Sequence, residues 1–299
     1  MKTSFYSAGK LLITGEYAVL DGAYALAIPT RFGQTLSVME TSSGSIDWKS
    51  FDVDQHCWLE ASFSVNTLEL RSEHTEESEN LGKLLQLAQK LNPAFLKHCD
   101  GLKVETHLQF SRKWGLGSSS TLLNNIAQWA AIDPYQLLKN RFSGSGYDIA
   151  CAGSKQPILY RIKKGIPEIS PIDFNPSFKD NLYFVYLNKK QNSLSAIVNY
   201  KKTKPNKKLT DEISLLAQSI AEASTLFEFE KLIKIHESIV SKLIGQKPVQ
   251  QELFSDFTGT VKSLGAWGGD FALATGSDNV AAYFESKGYT TVIPFSDMI

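Results

Sequence analysis

Four glycine-bearing stretches hold the side chains whose types and spacing could do chemistry. In Lys113-Trp114-Gly115-Leu116-Gly117-Ser118-Ser119-Ser120, a strand pattern runs through a tight turn into a helical pattern with Ser118 as the expected N-cap. Glycines let backbone N–H groups approach an anion closely, and a helix N-terminus aims unpaired N–H groups and its positive dipole end at one spot. That spot suits a phosphate, and three serine hydroxyls add donors or a metal ligand there. An ordinary capped strand-to-helix turn explains the same residues, so this stretch alone leaves both readings open. It is neither the Gly-x-x-x-x-Gly-Lys-Ser/Thr loop nor a complete Gly-x-Gly-x-x-Gly, because Ser120 stands where the last glycine would be.

The other three stretches are each ambiguous alone. Ser7 to Val19 sets Lys10 and Glu16 among small and apolar residues, where Lys10 taken alone reads as a surface lysine. Ser143 to Ala150 places Asp148 after a glycine turn at an apolar helix start, a position that an N-terminal cap also explains. Lys262-Ser263-Leu264-Gly265-Ala266-Trp267-Gly268-Gly269-Asp270 follows an expected helix and precedes a strand, so a glycine C-cap competes with a ligand loop.

These residues must be positioned by a chain of 299 residues, 42% hydrophobic and 21% charged, which supports real cores and is long enough for two domains. A boundary is expected near residue 170, giving domains of 1–170 and 171–299. Thirty-one basic residues balance 31 acidic ones, so nothing global attracts nucleic acid or an anionic membrane. Lys10 and Glu16 interrupt the apolar N-terminal stretch and no later stretch is long enough to span a bilayer, so a cytoplasmic protein is expected. Cys57, Cys99 and Cys151 lack Cys-x-x-Cys spacing, and the five histidines form no i, i+3 or i+4 pair, so neither a disulfide framework nor a zinc site is indicated.

Short apolar runs at Leu11 to Ile13, Tyr24 to Ile28 and Thr35 to Met39 predict a β-rich start. Leu81, Leu84, Leu85, Ala88 and Leu91 predict a helix that Asn92-Pro93 stops, Leu102 to Phe110 predicts a strand, and Leu122 to Ala130 a helix. Strands are expected at Gln156 to Arg161 and Leu182 to Leu187. Helices follow near 193–203, 209–224, 228–243, 247–263 and 278–287, with strands at Phe271 to Ala274 and Thr290 to Ile293. The acidic run at Glu73, Glu76, Glu77 and Glu79 and the basic run from Lys201 to Lys208 read as solvated faces. The class is α+β.

Taken together, the order and wording of the four stretches resemble the GHMP kinases, the superfamily of galactokinase, homoserine kinase, mevalonate kinase and phosphomevalonate kinase. The resemblance runs from Ser7 to Asp270, and Gly15-Glu16-Tyr17-Ala18-Val19, the Lys113 to Ser119 loop, Asp148-Ile149-Ala150 and Lys262-Ser263 with Gly268-Gly269-Asp270 look most like phosphomevalonate kinases. It implies an N-terminal domain like ribosomal protein S5 domain 2 and a ferredoxin-like C-terminal domain. It implies ATP as donor, its phosphates wrapped by Gly115, Leu116, Gly117, Ser118, Ser119 and Ser120, with Ser119 a ligand of Mg2+. Asp148 would be the base and Lys10 would stabilise developing negative charge. The acceptor would meet Lys10, Glu16, Asp148, Gly265, Ala266, Gly268, Gly269 and Asp270. The implied reaction converts phosphomevalonate to diphosphomevalonate in isoprenoid synthesis, with mevalonate kinase as the alternative and a non-catalytic nucleotide-binding member as an alternative of another class. The implied protein is a monomer or homodimer.

Two departures stand out. Leu264 replaces a hydroxyl residue and Trp267 a glycine in the last loop, leaving Trp267 either to pack against the neighbouring domain or to narrow the acceptor pocket. Leu137 occupies the place, eleven residues before Asp148, where mevalonate kinases carry a metal-binding glutamate, with Asp133 a weak substitute. Arg31, Arg112, Lys113, Arg141, Lys189 and Lys190 lie near the glycine stretches in sequence and are candidate partners of a phosphorylated acceptor, or plain surface charges.

Overall fold

A computed structural model describes residues 2–139, 144–191, 197–198, 200 and 207–299. The chain packs as two units that exchange segments: Met1–Gly9, Phe32–Arg112 and Gly117–Gly153 form the first, and Lys10–Arg31, Lys113–Leu116 and Ser154–Ile299 the second. The expected boundary near residue 170 falls at the end of a strand of the second unit.

The first unit contains most of β1 (Lys2–Leu12), the later half of β2 (Ala25–Glu40), β3 (Ser45–Phe51), β4 (Cys57–Ser64), α1 (Glu76–Leu91), β5 (Leu102–Leu108), α2 (Ser118–Ala130), α3 (Pro134–Lys139) and α4 (Tyr147–Gly153). Its strands lie in the order β4-β3-β5-β2, with β1 on β2. β3 and β5 are parallel, Trp48 opposite Val104, and α1 lies between them in sequence. The acidic run opens α1: Thr75 and Ser78 form a reciprocal capping box, and Glu76, Glu77 and Glu79 face the positive end of the helix dipole. The buried side chains of Trp48, Phe63, Leu85, Val104 and Ile126 form its core.

The two strands expected at 24–28 and 35–39 are one strand, β2, because Gly33 is not a turn. A methyl group there would lie 2.3 Å from Tyr6 Oη and 2.4 Å from Ser7 O, so glycine serves close approach inside a continuous strand.

The second unit adds β6 (Ile158–Lys163), β7 (Ile166–Pro171), β8 (Leu182–Tyr186), α5 (Lys207–Glu222), α6 (Leu226–Ile244), α7 (Val249–Leu253), β9 (Val261–Ser263), β10 (Phe271–Thr275), α8 (Val280–Ser286), β11 (Val292–Pro294) and α9 (Phe295–Met298). The first half of β2 pairs with β6, and β6 with β7. The remaining strands form an antiparallel sheet in the order β11-β8-β10-β9. With helices after β8 and β10, that is the β-α-β-β-α-β arrangement of a ferredoxin-like domain. The mixed α+β class expected from the sequence holds.

The helix expected over 247–263 is corrected to the short α7 followed by β9. Gln250 holds the turn between them, donating from Nε2 to Gly259 O (2.9 Å) and accepting at Oε1 from Val261 N (3.1 Å). A methyl group on Gly259 would lie 1.9 Å from Thr275 O, so the chain must leave the helix to run beside β10. The helix expected near 193–203 falls largely outside the described residues, as does Arg141. Among the described residues no helix is long and apolar enough to cross a membrane.

Candidate active site

In the first unit, Gly117 takes the left-handed conformation (φ 89°) and starts α2. This corrects the expectation of Ser118 as N-cap: Ser118 is the first helical residue, and no side chain caps the helix. The first-turn N–H groups of a 13-residue helix are therefore left for another acceptor. The three serines diverge because successive helical residues turn by about 100°. Ser119 is exposed, Ser118 half-buried and Ser120 buried. The Ser120 hydroxyl donates to Asp148 Oδ2. The other oxygen, Oδ1, accepts from Ile149 N at 3.1 Å. Asp148 sits in the first turn of α4, entered through Gly146 (φ 81°), whose carbonyl accepts from Tyr135 Oη at 3.2 Å. A methyl group on Gly146 would lie 2.9 Å from both Leu138 and Tyr135, so α3 dictates the turn that presents Asp148.

In the second unit, Lys10 lies near the end of β1 beside the glycine turn. Its backbone N donates to Leu116 O (3.0 Å), and its ammonium donates to Gly115 O (2.7 Å). Gly115 (φ 67°) is pressed against Asp270: a methyl group would lie 2.3 Å from the Asp270 carboxyl carbon. Asp270 itself has φ 53°, costly for a residue with a side chain. Its Oδ1 accepts from Gln191 N (3.1 Å) and its N–H donates to Lys189 O (2.7 Å). Burial pushes its carboxyl above the ordinary aspartate value, against the opposing pull of the Gln191 N–H, Lys10 and Lys190.

No protein-family model matches the sequence, and neither does any curated relative. Solved structures do match over nearly the whole chain. A Streptococcus pneumoniae phosphomevalonate kinase in complex with phosphomevalonate and AMPPNP superposes with a TM-score of 0.75 at 16% identity, covering 99% of this chain and 100% of that one. A Methanococcus jannaschii mevalonate kinase gives 0.73 at 16% identity, covering 98% and 96%. A Lactococcus lactis galactokinase complexed with galactose gives 0.68 at 14%, covering 98% and 94%. The chain has the GHMP kinase fold.

Against the site residues that the GHMP resemblance implies, Glu16 differs most. It was expected at the acceptor, but its side chain is 0% exposed. Its Oε1 accepts from the equally buried Lys262 ammonium. Lys262 also donates to Ser263 O (2.7 Å) and lies 3.8 Å from Glu237 Oε2, while Glu237 Oε1 accepts from Ser263 N (3.0 Å). Two buried carboxylates thus share one ammonium. Burial raises the carboxyl of Glu16 to about 7 against the pull of Lys262, with Glu237 adding to the rise, and burial raises Glu237 as well. His236 Nε2 lies 3.5 Å from Glu16 Oε2 but is no cation, because it accepts from Gly15 N (2.9 Å). Burial and Lys262 hold that imidazole well below its ordinary pKa.

Trp267 is 1% exposed and packs with Tyr17, Tyr200 and Val240 inside the second unit. Its backbone N–H donates to Tyr17 Oη (3.2 Å), and its backbone carbonyl accepts from Gln191 Nε2 (2.5 Å). Leu264 is buried too. Gly265 (φ 59°) and Ala266 lie between Leu264 and Trp267, and Gly268 (φ 89°) and Gly269 carry the chain from Trp267 to Asp270. Leu137 is wholly buried in the first unit's core and offers no metal ligand. Asp133 caps α3 by accepting from Tyr135 N (3.0 Å). Among the described residues no group of three or more His, Cys, Asp or Glu is placed to hold a metal ion. Arg112 stacks on the Trp58 ring at 3.7 Å.

His236 and Glu237 escaped the sequence reading. The signal was present: Phe229, Ile233, His236, Glu237 and Val240 recur at helical spacing, so the polar pair lies on the buried face of α6.

Proposed function

We propose that the protein is an ATP- and Mg2+-dependent kinase of a small metabolite, converting phosphomevalonate to diphosphomevalonate. The observation that carries the reading is the uncapped N-terminus of α2 with Asp148 hydrogen-bonded to its third residue, which supports an anion site with a carboxylate base one helical turn away. The phosphomevalonate kinase among the structural neighbours, and the Gly268-Gly269-Asp270 wording of the last loop, support that acceptor. Mevalonate is the second reading, supported by a mevalonate kinase of comparable TM-score.

In this reading the first-turn N–H groups of α2 and the hydroxyls of Ser118 and Ser119 hold the ATP phosphates. Asp148 takes the proton of the acceptor oxygen as that oxygen bonds to the γ-phosphorus, and the bond from phosphorus to the bridging oxygen breaks to release ADP. Lys10 neutralises developing negative charge, fixed in place by the Gly115 carbonyl. Ser119, exposed at the helix start, would hold Mg2+ together with phosphate oxygens and water, a ligand set this ion accepts. The metal would supply charge neutralisation on the transferring phosphoryl group.

The test is ADP release with Mg2+ and ATP in the presence of phosphomevalonate, mevalonate, homoserine or galactose in turn, with Asp148→Asn as control. Turnover with phosphomevalonate that disappears in the variant supports the reading. Tight ATP binding with no turnover on any acceptor removes it in favour of a non-catalytic nucleotide-binding role.

A further inference from the structure

The serine run was expected to serve phosphate binding as a block, yet the third hydroxyl has a different commitment. Ser120 is 8% exposed on the flank of α2 that packs on α4, and its hydroxyl donates to Asp148 Oδ2. A serine hydroxyl carries one proton and can make one donation at a time. While Ser120 donates to Asp148 it has nothing to give a phosphate oxygen. Ser119 and Ser118, one exposed and one half-buried, have no such tie to Asp148 and remain for that task.

Asp148 is also restrained from the other side. The Ile149 N–H holds Oδ1, and the turn before it is wedged by Tyr135 and Leu138 against Gly146. A carboxylate at the start of a seven-residue helix would otherwise be free to rotate about its own side-chain bonds. The two hydrogen bonds fix its plane, and only the Ser120 bond comes from the element that begins the anion site.

We infer that Ser120 is a positioning residue for Asp148, orienting the base from within the glycine-serine loop, rather than a ligand of the nucleotide phosphates. The inference rests on the kinase reading above, with Asp148 as base.

The experiment compares Ser120→Ala, Ser120→Thr, Asp148→Asn and the Ser120→Ala/Asp148→Asn pair, reading kcat, KM for ATP and AMPPNP affinity by calorimetry. A hydrogen bond to a charged group corresponds to a loss of roughly 10- to 100-fold in kcat for Ser120→Ala. KM for ATP and AMPPNP affinity should stay within about twofold, because no phosphate contact is removed. Ser120→Thr, which keeps the hydroxyl, should recover most of the loss. In the Asp148→Asn background Ser120→Ala should cost nothing further. Weakened AMPPNP binding with kcat intact would overturn the inference and return Ser120 to the phosphates. So would a full loss of kcat on adding Ser120→Ala to Asp148→Asn. Undiminished turnover of Asp148→Asn itself would instead remove the base assignment, and the inference with it, so the two failures are told apart.

Discussion

Replacing Lys262 by methionine tests the buried cluster of the second unit, because it removes the single ammonium shared by two carboxylates. Glu16 and Lys262 are 0% exposed and Glu237 is 4% exposed, so the cluster lies out of bulk solvent. Breaking a buried pair by removing one partner costs about 3–5 kcal/mol, and Lys262→Met should lose that much at neutral pH. Adding Glu16→Gln should recover part of it, since a neutral amide needs no counter-charge. The sign of the pH dependence follows from Glu16. Its folded carboxyl is raised from 4.5 to about 7, so between those values the folded protein holds a proton that the unfolded chain has released. Stability from this group is therefore full at low pH, falls as pH rises across that window, and stays low above it. The interval corresponds to roughly 3 kcal/mol. The assay is urea unfolding from about pH 5 to pH 8 for wild type, Glu16→Gln, Lys262→Met and the double variant, followed by tryptophan fluorescence. The wild-type minus Glu16→Gln difference should shrink with rising pH. A flat difference, together with a Lys262→Met loss below about 1 kcal/mol, would refute the shared-charge reasoning.

Three further outcomes are expected. Asp148→Asn should lower kcat by at least about 100-fold with little change in stability, measured by ADP release and thermal unfolding side by side. Gly115→Ala should weaken AMPPNP binding, because its methyl group would meet the Asp270 carboxylate at 2.3 Å; Asp270→Gly in the same chain should restore part of the binding, as calorimetry can show. Tyr17→Phe should destabilise by about 1–3 kcal/mol in urea unfolding, since it removes the acceptor of the Trp267 backbone N–H in a buried site.

Periodicity made much of the scaffold legible. α1, α2, α5 and α6 each show an apolar face at helical spacing, and their stop signals, such as Asn92-Pro93, act as the chemistry of proline requires. The glycine-serine loop was legible because strand, turn and helix start are adjacent in sequence. Legibility failed where a residue's role depends on a distant segment. Tyr24 to Ile28 and Thr35 to Met39 read as two strands, and what joins them is the packing of Tyr6 and Ser7 against Gly33. Lys262 opens the last glycine stretch, but nothing in that stretch shows that its partner is Glu16, 246 positions away. Likewise, nothing in three consecutive serines says which one will reach Asp148, because that depends on how α3 and α4 fold back onto α2.

The exchange of segments between the two units has a consequence for how the chain can be made and cut. The second unit is assembled from residues 10–31, 113–116 and everything from 154 onward, so no single scission yields it whole. A ribosome delivers Gly15 and Glu16 long before the His236 and Lys262 that receive them, a sequence separation of 221 and 246 residues. Closing loops of that length is entropically slow and leaves the early segment waiting with its apolar neighbours Leu11 to Val19 uncovered. The C-terminal half expressed alone would carry Lys262 with Glu237 but without Glu16. Supplying residues 1–31 in trans is then the natural complementation experiment for this topology.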